Sequence, residues 1–373
     1  LTRAPEGGPG FRRIFANLDF EEELRGRFGP GGPARALSAA ARRAAAEAAV
    51  GLRAFARDGD RLWLPGPVEP GKGGAGGAAG AEASRGLPDV ALESGPPEEL
   101  PPARRVLAWG EGPRVAALRE RWGAQTPSRG EEERRALTEP LHEAIWHLPP
   151  APPEVVARVA HRAFCLDLAR GLGVALPDAR MISDLSELES WLAAGGAAAG
   201  AGRWVAKAPW SAAGRERYLG TSPRDLREPA VRRRLERLLE RHGALLAEPW
   251  VERTADFGCA GLVASGGVRL ASVHRQEVDR AGRFRGIPPL PPAGGGSAPE
   301  PGLLPAEHDL LQSTFHAAAD RLRAAGYTGP CGLDAFRWRP PAGGEAFHPL
   351  CELNPRLTFG LVAQAAAERA RSG

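Results

Sequence analysis

The chain has 373 residues, 43% hydrophobic and 25% charged, an ordinary balance for a globular protein of two or three domains. Its 49 basic and 45 acidic side chains leave a formal charge of +4, too small at this length to argue for a nucleic-acid partner. Four cysteines without a CxxC spacing speak against a zinc site and read as reduced thiols of an intracellular, cytoplasmic protein; no long apolar run is present, so no membrane span is expected. Because the sequence opens on Leu1, its lack of a signal peptide carries little weight.

In chain order, the apolar run 14–16 before Asn17 reads as a strand, 34–55 as an Ala- and Arg-rich helix and 61–64 as a second strand, together a small α/β unit. Residues 65–102 turn to Gly, Ala, Pro and Glu. Such a composition buries too little apolar surface to offset its ordering entropy, so a disordered insertion is expected there. It contains Lys72 in GKGGAGG, which lacks the Ser or Thr and the helix that a phosphate loop requires. A strand at 105–109 and a helix at 114–122 follow, and Pro-rich 148–153 marks a domain boundary.

Beyond that boundary the pattern predicts a helix over 154–172, a strand at 180–182, a helix at 186–192 capped by Ser183 or Asp184, and a strand at 203–209 carrying Lys207. The next run, WSAAGRERYLG, places small residues beside that lysine, where backbone N–H groups can approach an anion; an ordinary hairpin turn is the competing reading. Residues 232–242 form a solvated amphipathic helix. An apolar strand at 245–251, a hairpin over 261–273, a basic strand, a Pro/Gly-rich mobile loop at 288–305 and a helix at 307–325 lead to the last hairpin.

That hairpin, 332–339 and 346–353 about a turn near residue 343, sets Asp334 opposite Glu352. Like charges facing each other across a sheet are destabilising, so the arrangement calls for a divalent cation. Mg²⁺ suits it, with one or two carboxylates and phosphate oxygens as ligands. Asn354 lies on the same face by the two-residue period and offers an amide oxygen; Arg356 follows with a fixed positive charge. The competing reading is a surface hairpin whose acids pair with Arg337 or Arg339. Lysine and asparagine are otherwise scarce, with only Lys72, Lys207, Asn17 and Asn354, so each is a candidate for a position where a substitute fails.

The ordered set of pieces over 155–371 resembles the ATP-grasp superfamily. The resemblance implies an α/β (α+β) fold with mixed or antiparallel sheets: a small Rossmann-like domain over 1–150, then an ATP-grasp domain over 151–373 with a flap part near 155–250 and a nucleotide and metal core near 245–370. It further implies ATP with Mg²⁺ or Mn²⁺. The phosphates would be held by Lys207, Ser211, Gly214 and Arg215, adenine by the hinge Glu248, Trp250 and Val251, and ribose by Asp256 or Glu252. Metal would fall to Asp334, Glu352 and Asn354. Arg162 stands where the family commonly has a lysine. The implied activity joins a small-molecule or peptide carboxylate to an amine or thiol through an acyl phosphate, with catalytic roles for Arg356, Arg275 and Arg337 and no nucleic-acid or membrane partner. A nucleotide-binding scaffold without catalysis is the alternative.

Overall fold

The computed structural model describes residues 10–68, 87–211, 216–279, 282–288, 290, 300 and 302–372. Strands β1 (Arg12–Phe15), β2 (Arg61–Trp63), β3 (Ala91–Glu93) and β4 (Arg105–Ala108) form a parallel sheet in the order β3-β2-β1-β4. Short strands of Ile, Leu, Phe and Trp suit it because helices cover its faces, leaving Ile14, Phe15 and Leu62 fully buried. Within 65–102, where a disordered insertion is expected, residues 87–102 are described and include strand β3. Residues 69–86, with Lys72, lie outside the described residues, but Ala91–Glu93 pairs with β2, and Glu93 there receives Arg13 Nε at 2.8 Å. An ion pair to a fully buried arginine orders a segment that apolar burial would not.

A second, antiparallel sheet comprises β5 (Arg180–Ile182), β6 (Trp204–Lys207), β7 (Arg217–Gly220) and β8 (Leu245–Pro249), in the order β5-β8-β6-β7. It has its own core, including Trp191, Trp204, Leu235 and Leu245. The third sheet is also antiparallel: β9 (Glu252–Ala264), β10 (Gly267–Val278), β11 (Phe284–Gly286), β12 (Gly329–Arg339) and β13 (Ala346–Asn354), in the order β11-β10-β9-β12-β13. Its core is continuous with that of the first sheet, running from Ile14 through Trp146 to Phe257, Phe315 and Leu361. Helix Pro305–Ala324 packs on one face of it, and among the described residues no helix is long and apolar enough to cross a membrane.

The helix expected over 154–172 is two helices, Pro153–Ala160 and Arg162–Gly171. At the break, His161 has extended ψ, its Nδ1 accepts from the Ala163 N–H at 3.1 Å, and its ring meets Trp210 edge-on at 4.5 Å. The Arg162 N–H donates to Pro209 O at 3.1 Å instead of continuing a helix. Long-range partners have overridden local propensity, and they leave Arg162 on the first turn of a new helix. Similarly, 34–55 resolves into helix Ala39–Ala49 and a 3₁₀ stretch, Val50–Phe55, while helices Phe20–Phe28, Glu131–Thr138 and Phe359–Ser372 were not anticipated.

Candidate active site

The last hairpin pairs Asp334 with Glu352, as the pattern predicts, although its register is not uniform. Nearer the turn Phe336 faces His348 and Arg337 faces Phe347, so β13 uses four residues where β12 uses two. Pro349, which has no N–H for the ladder, sits in the resulting bulge. The irregularity shifts the register by two residues, so that Glu352 and not Leu350 faces Asp334.

Asp334 is held by two amides. Gln276 Nε2 donates to its Oδ1 at 2.8 Å and Asn354 Nδ2 to its Oδ2 at 3.0 Å. Glu352 Oε1 accepts from Arg162 Nη1 at 2.9 Å, and the same guanidinium donates to Ala208 O at 2.9 Å and Ser211 O at 3.0 Å. Burial and then the Glu352 charge push the Asp334 carboxyl up, against the hydrogen bond from Gln276. Burial also acts to raise Glu352, but Arg162, Lys207 and Arg356 outweigh it and hold that carboxyl low. The two acids therefore differ, with Glu352 firmly ionised and Asp334 reluctant.

Lys207 and Glu248, both under a tenth exposed, lie on adjacent strands β6 and β8 and form an ion pair with each other. Arg356 bonds Asn354 Oδ1 at 2.9 Å and Glu21 Oε1 at 2.8 Å, and lies over the Trp109 ring at 5.2 Å. Trp250 is half-buried beneath Arg217 and Arg253; Val251 joins the apolar cluster of Leu166, Leu176 and Leu246. Asp256 is paired with Arg253 at 2.9 Å and Glu252 with Arg339 at 2.6 Å. Ser211 is described, whereas Gly214 and Arg215 lie outside the described residues.

Two of the expected catalytic residues stand apart. Arg337 and Arg275 alternate with Phe336 and Gln276 along their strands and so point away from the carboxylate face. Arg337 is bound there by Glu307 of helix Pro305–Ala324, and Arg275 is exposed. The strand period sends them to the other face of the sheet, and the structure does not bring them to the acids. Conversely, Glu21, Trp109 and Gln276 enter the site without having been singled out. For Glu21 and Trp109 a signal existed, since both follow strands of a parallel sheet, whose carboxyl ends form ligand crevices. For Gln276 none did.

A cleft opens beside Glu352. Leu166, Ala169, Leu176 and Leu246 line one part; Arg162, Glu248, Glu352, Asn354 and Arg356 line another. No family model matches the sequence, and no curated protein does. Solved structures do match. The biotin carboxylase domain of 2-oxoglutarate carboxylase from Hydrogenobacter thermophilus, crystallised with MgADP, ADP and bicarbonate, superposes with a TM-score of 0.51 at 14% identity over 98% of this chain and 70% of that one. That domain is an ATP-grasp structure. The chain has the ATP-grasp fold. Pyruvate carboxylase from Rhizobium etli, with acetyl coenzyme A, gives the same TM-score at 16% identity over 96% of this ATP-grasp chain and 27% of that chain. N5-carboxyaminoimidazole synthetase from Staphylococcus aureus, complexed with ADP, gives 0.48 at 8% identity over 94% and 72%.

Among the described residues no cluster of three or more His, Cys, Asp or Glu side chains is placed to hold a metal ion. The site instead offers two carboxylates and the Asn354 amide, oxygen donors that fit Mg²⁺ when phosphate oxygens complete the shell. The raised Asp334 makes a prediction. A carboxyl that holds its proton more tightly when folded stabilises the chain fully below its ordinary pKa, and that contribution is lost as pH rises through the raised value. Asp334→Asn should therefore raise the neutral-pH stability of the chain in EDTA and flatten its loss on going from acid to neutral pH. Urea titrations of both proteins across that range check it; a less stable variant at neutral pH contradicts it.

Proposed function

We propose that the chain is an ATP- and Mg²⁺-dependent ligase that activates a carboxylate as an acyl phosphate for attack by an amine or thiol. One observation carries the reading: Glu352, which faces Asp334 across the last hairpin, lines with Arg162, Asn354 and Arg356 the charged part of a cleft whose other part is apolar, on an ATP-grasp fold. The apolar part suits an adenine ring and the charged part a triphosphate. Bound there, Mg²⁺ would be held by Asp334, Glu352 and Asn354 and would neutralise phosphate charge.

The protein's own groups do the rest. Phosphoryl transfer to a carboxylate requires positioning and charge stabilisation more than a base. Arg162 and Lys207 supply cations to the phosphates, and Arg356 orients the incoming carboxylate beside them. The carboxylate oxygen bonds to the γ-phosphorus as the bond to ADP breaks; the nucleophile then adds to the acyl carbon and phosphate leaves, its proton passing to solvent.

A second reading, a nucleotide-binding scaffold without turnover, is favoured by a specific feature. Each of these three cations is already paired with an acid, Arg162 with Glu352, Lys207 with Glu248 and Arg356 with Glu21. Catalysis requires ATP to break at least the first two pairs. ADP formation from ATP and Mg²⁺ should be screened against pools of amino acids, short peptides and small diacids. Turnover that needs both a carboxylate and a nucleophile supports the ligase; binding without ADP release from any pool supports the scaffold.

A further inference from the structure

Asp334 is anchored from a strand that is not its neighbour. In one row of the third sheet, Asp334 on β12 faces Gly258 on β9, which faces His274 on β10; in the next row Phe336 faces Asp256, which faces Gln276. The Gln276 side chain must pass over β9 to place Nε2 at 2.8 Å from Asp334 Oδ1. It does so at Gly258. A Cβ there would lie 2.6 Å from Gln276 Nε2 and 2.8 Å from His274 Nε2, closer than non-bonded atoms tolerate.

The geometry points to Gln276 as a positioning residue for Asp334, reaching it through a lane that only glycine at 258 leaves open, and so setting the affinity of the carboxylate pair for a divalent cation. The inference rests on the proposed metal role of that pair. A carboxylate that rotates freely loses entropy when it ligates, whereas one held by an outer amide is already oriented; removing such an outer partner typically weakens metal binding by about 10–100-fold. Gln276 fits this role better than Asn354 does. The Asn354 amide is itself a proposed ligand and its oxygen is held by Arg356, whereas Gln276 comes from outside the hairpin. A structural brace alone would act on folding and leave metal affinity untouched.

The test is calorimetric titration of Mn²⁺ into the full chain saturated with ADP, and of ADP into the chain in EDTA. Gln276→Met should raise the Mn²⁺ Kd about tenfold or more while leaving the metal-free ADP Kd within about twofold. Gly258→Ala, which keeps the glutamine but blocks its path, should do the same, and the double variant should be no worse than either single one. Should Gln276→Met fail to fold, Gly258→Ala carries the test. Mn²⁺ binding retained in these variants but lost in Glu352→Gln overturns this inference alone. A wild-type protein whose ADP binding ignores Mn²⁺ overturns both this inference and the metal reading beneath it.

Discussion

Glu352→Gln should abolish the Mg²⁺-dependent part of the stabilisation that ATP confers. Glu352 is the carboxylate of the pair that stays ionised, because Arg162, Lys207 and Arg356 together outweigh its burial. An amide keeps its shape but not its charge, and Asp334, raised by burial and by its neighbour, is left as the one acid of the pair. A ligand at a hundred times its Kd stabilises by about 2.7 kcal/mol, so the lost increment is readily measured in thermal melts with ATP plus Mg²⁺ against ATP plus EDTA. In the variant the two melts should coincide. A metal-dependent shift equal to that of wild type would refute the assignment of Glu352 as a ligand.

Arg162→Met should cost the ligand-free protein roughly 3 kcal/mol, the largest loss of stability expected from any change at this site. Arg162 is about 9% exposed and has no substitute. It neutralises Glu352, satisfies the carbonyl oxygens of Ala208 and Ser211, and opens the helix Arg162–Gly171. Methionine fills much of its volume but leaves a half-buried carboxylate without its directly bonded cation and two carbonyl groups without their donor. Arg162→Lys restores the charge without the fork and should recover part of the loss. Urea denaturation in EDTA checks both. Addition of Mg²⁺ with ADP should narrow the gap between Arg162→Met and wild type, since a cation at Glu352 replaces the missing charge; equal stability of the variant and wild type in EDTA would show that the buried pair is not what holds the helix to β13.

These two changes and Asp334→Asn pull in different directions for one reason. The site stores two acids on one sheet face, and the chain stabilises only one of them. Glu352 is neutralised by Arg162, so removing either partner is destabilising; Asp334 has amide donors and no direct cation, so removing its charge is stabilising. Function sites commonly retain such unfavourable charge for what binds there.

The face that carries the acids was legible in the sequence because strand alternation leaves little freedom, but the register next to the turn would set Leu350 opposite Asp334, and the bulge supplies the two-residue shift to Glu352. The same alternation separates Arg337 from Asp334, three residues apart on one strand, and sends Arg337 to the face of Glu307. Other expectations depended on distance in space. Arg162 and Glu352 are 190 residues apart and Arg356 and Glu21 are 335 apart, and no local period selects one arginine among many for such a contact.

By itself, then, the order of residues indicated most of the strands, though not Ala91–Glu93, and determined the face that carries Asp334, Glu352 and Asn354 and the kind of ion they suit, since these follow from backbone geometry and donor chemistry. Only the tertiary structure decided which cations meet those acids, that β13 bulges at Pro349 to keep them opposed, that the helix breaks at His161 to present Arg162, and that Gln276 crosses β9 over Gly258. Each of those outcomes depends on packing between segments remote in the chain, where proximity, not spacing, chooses the partner.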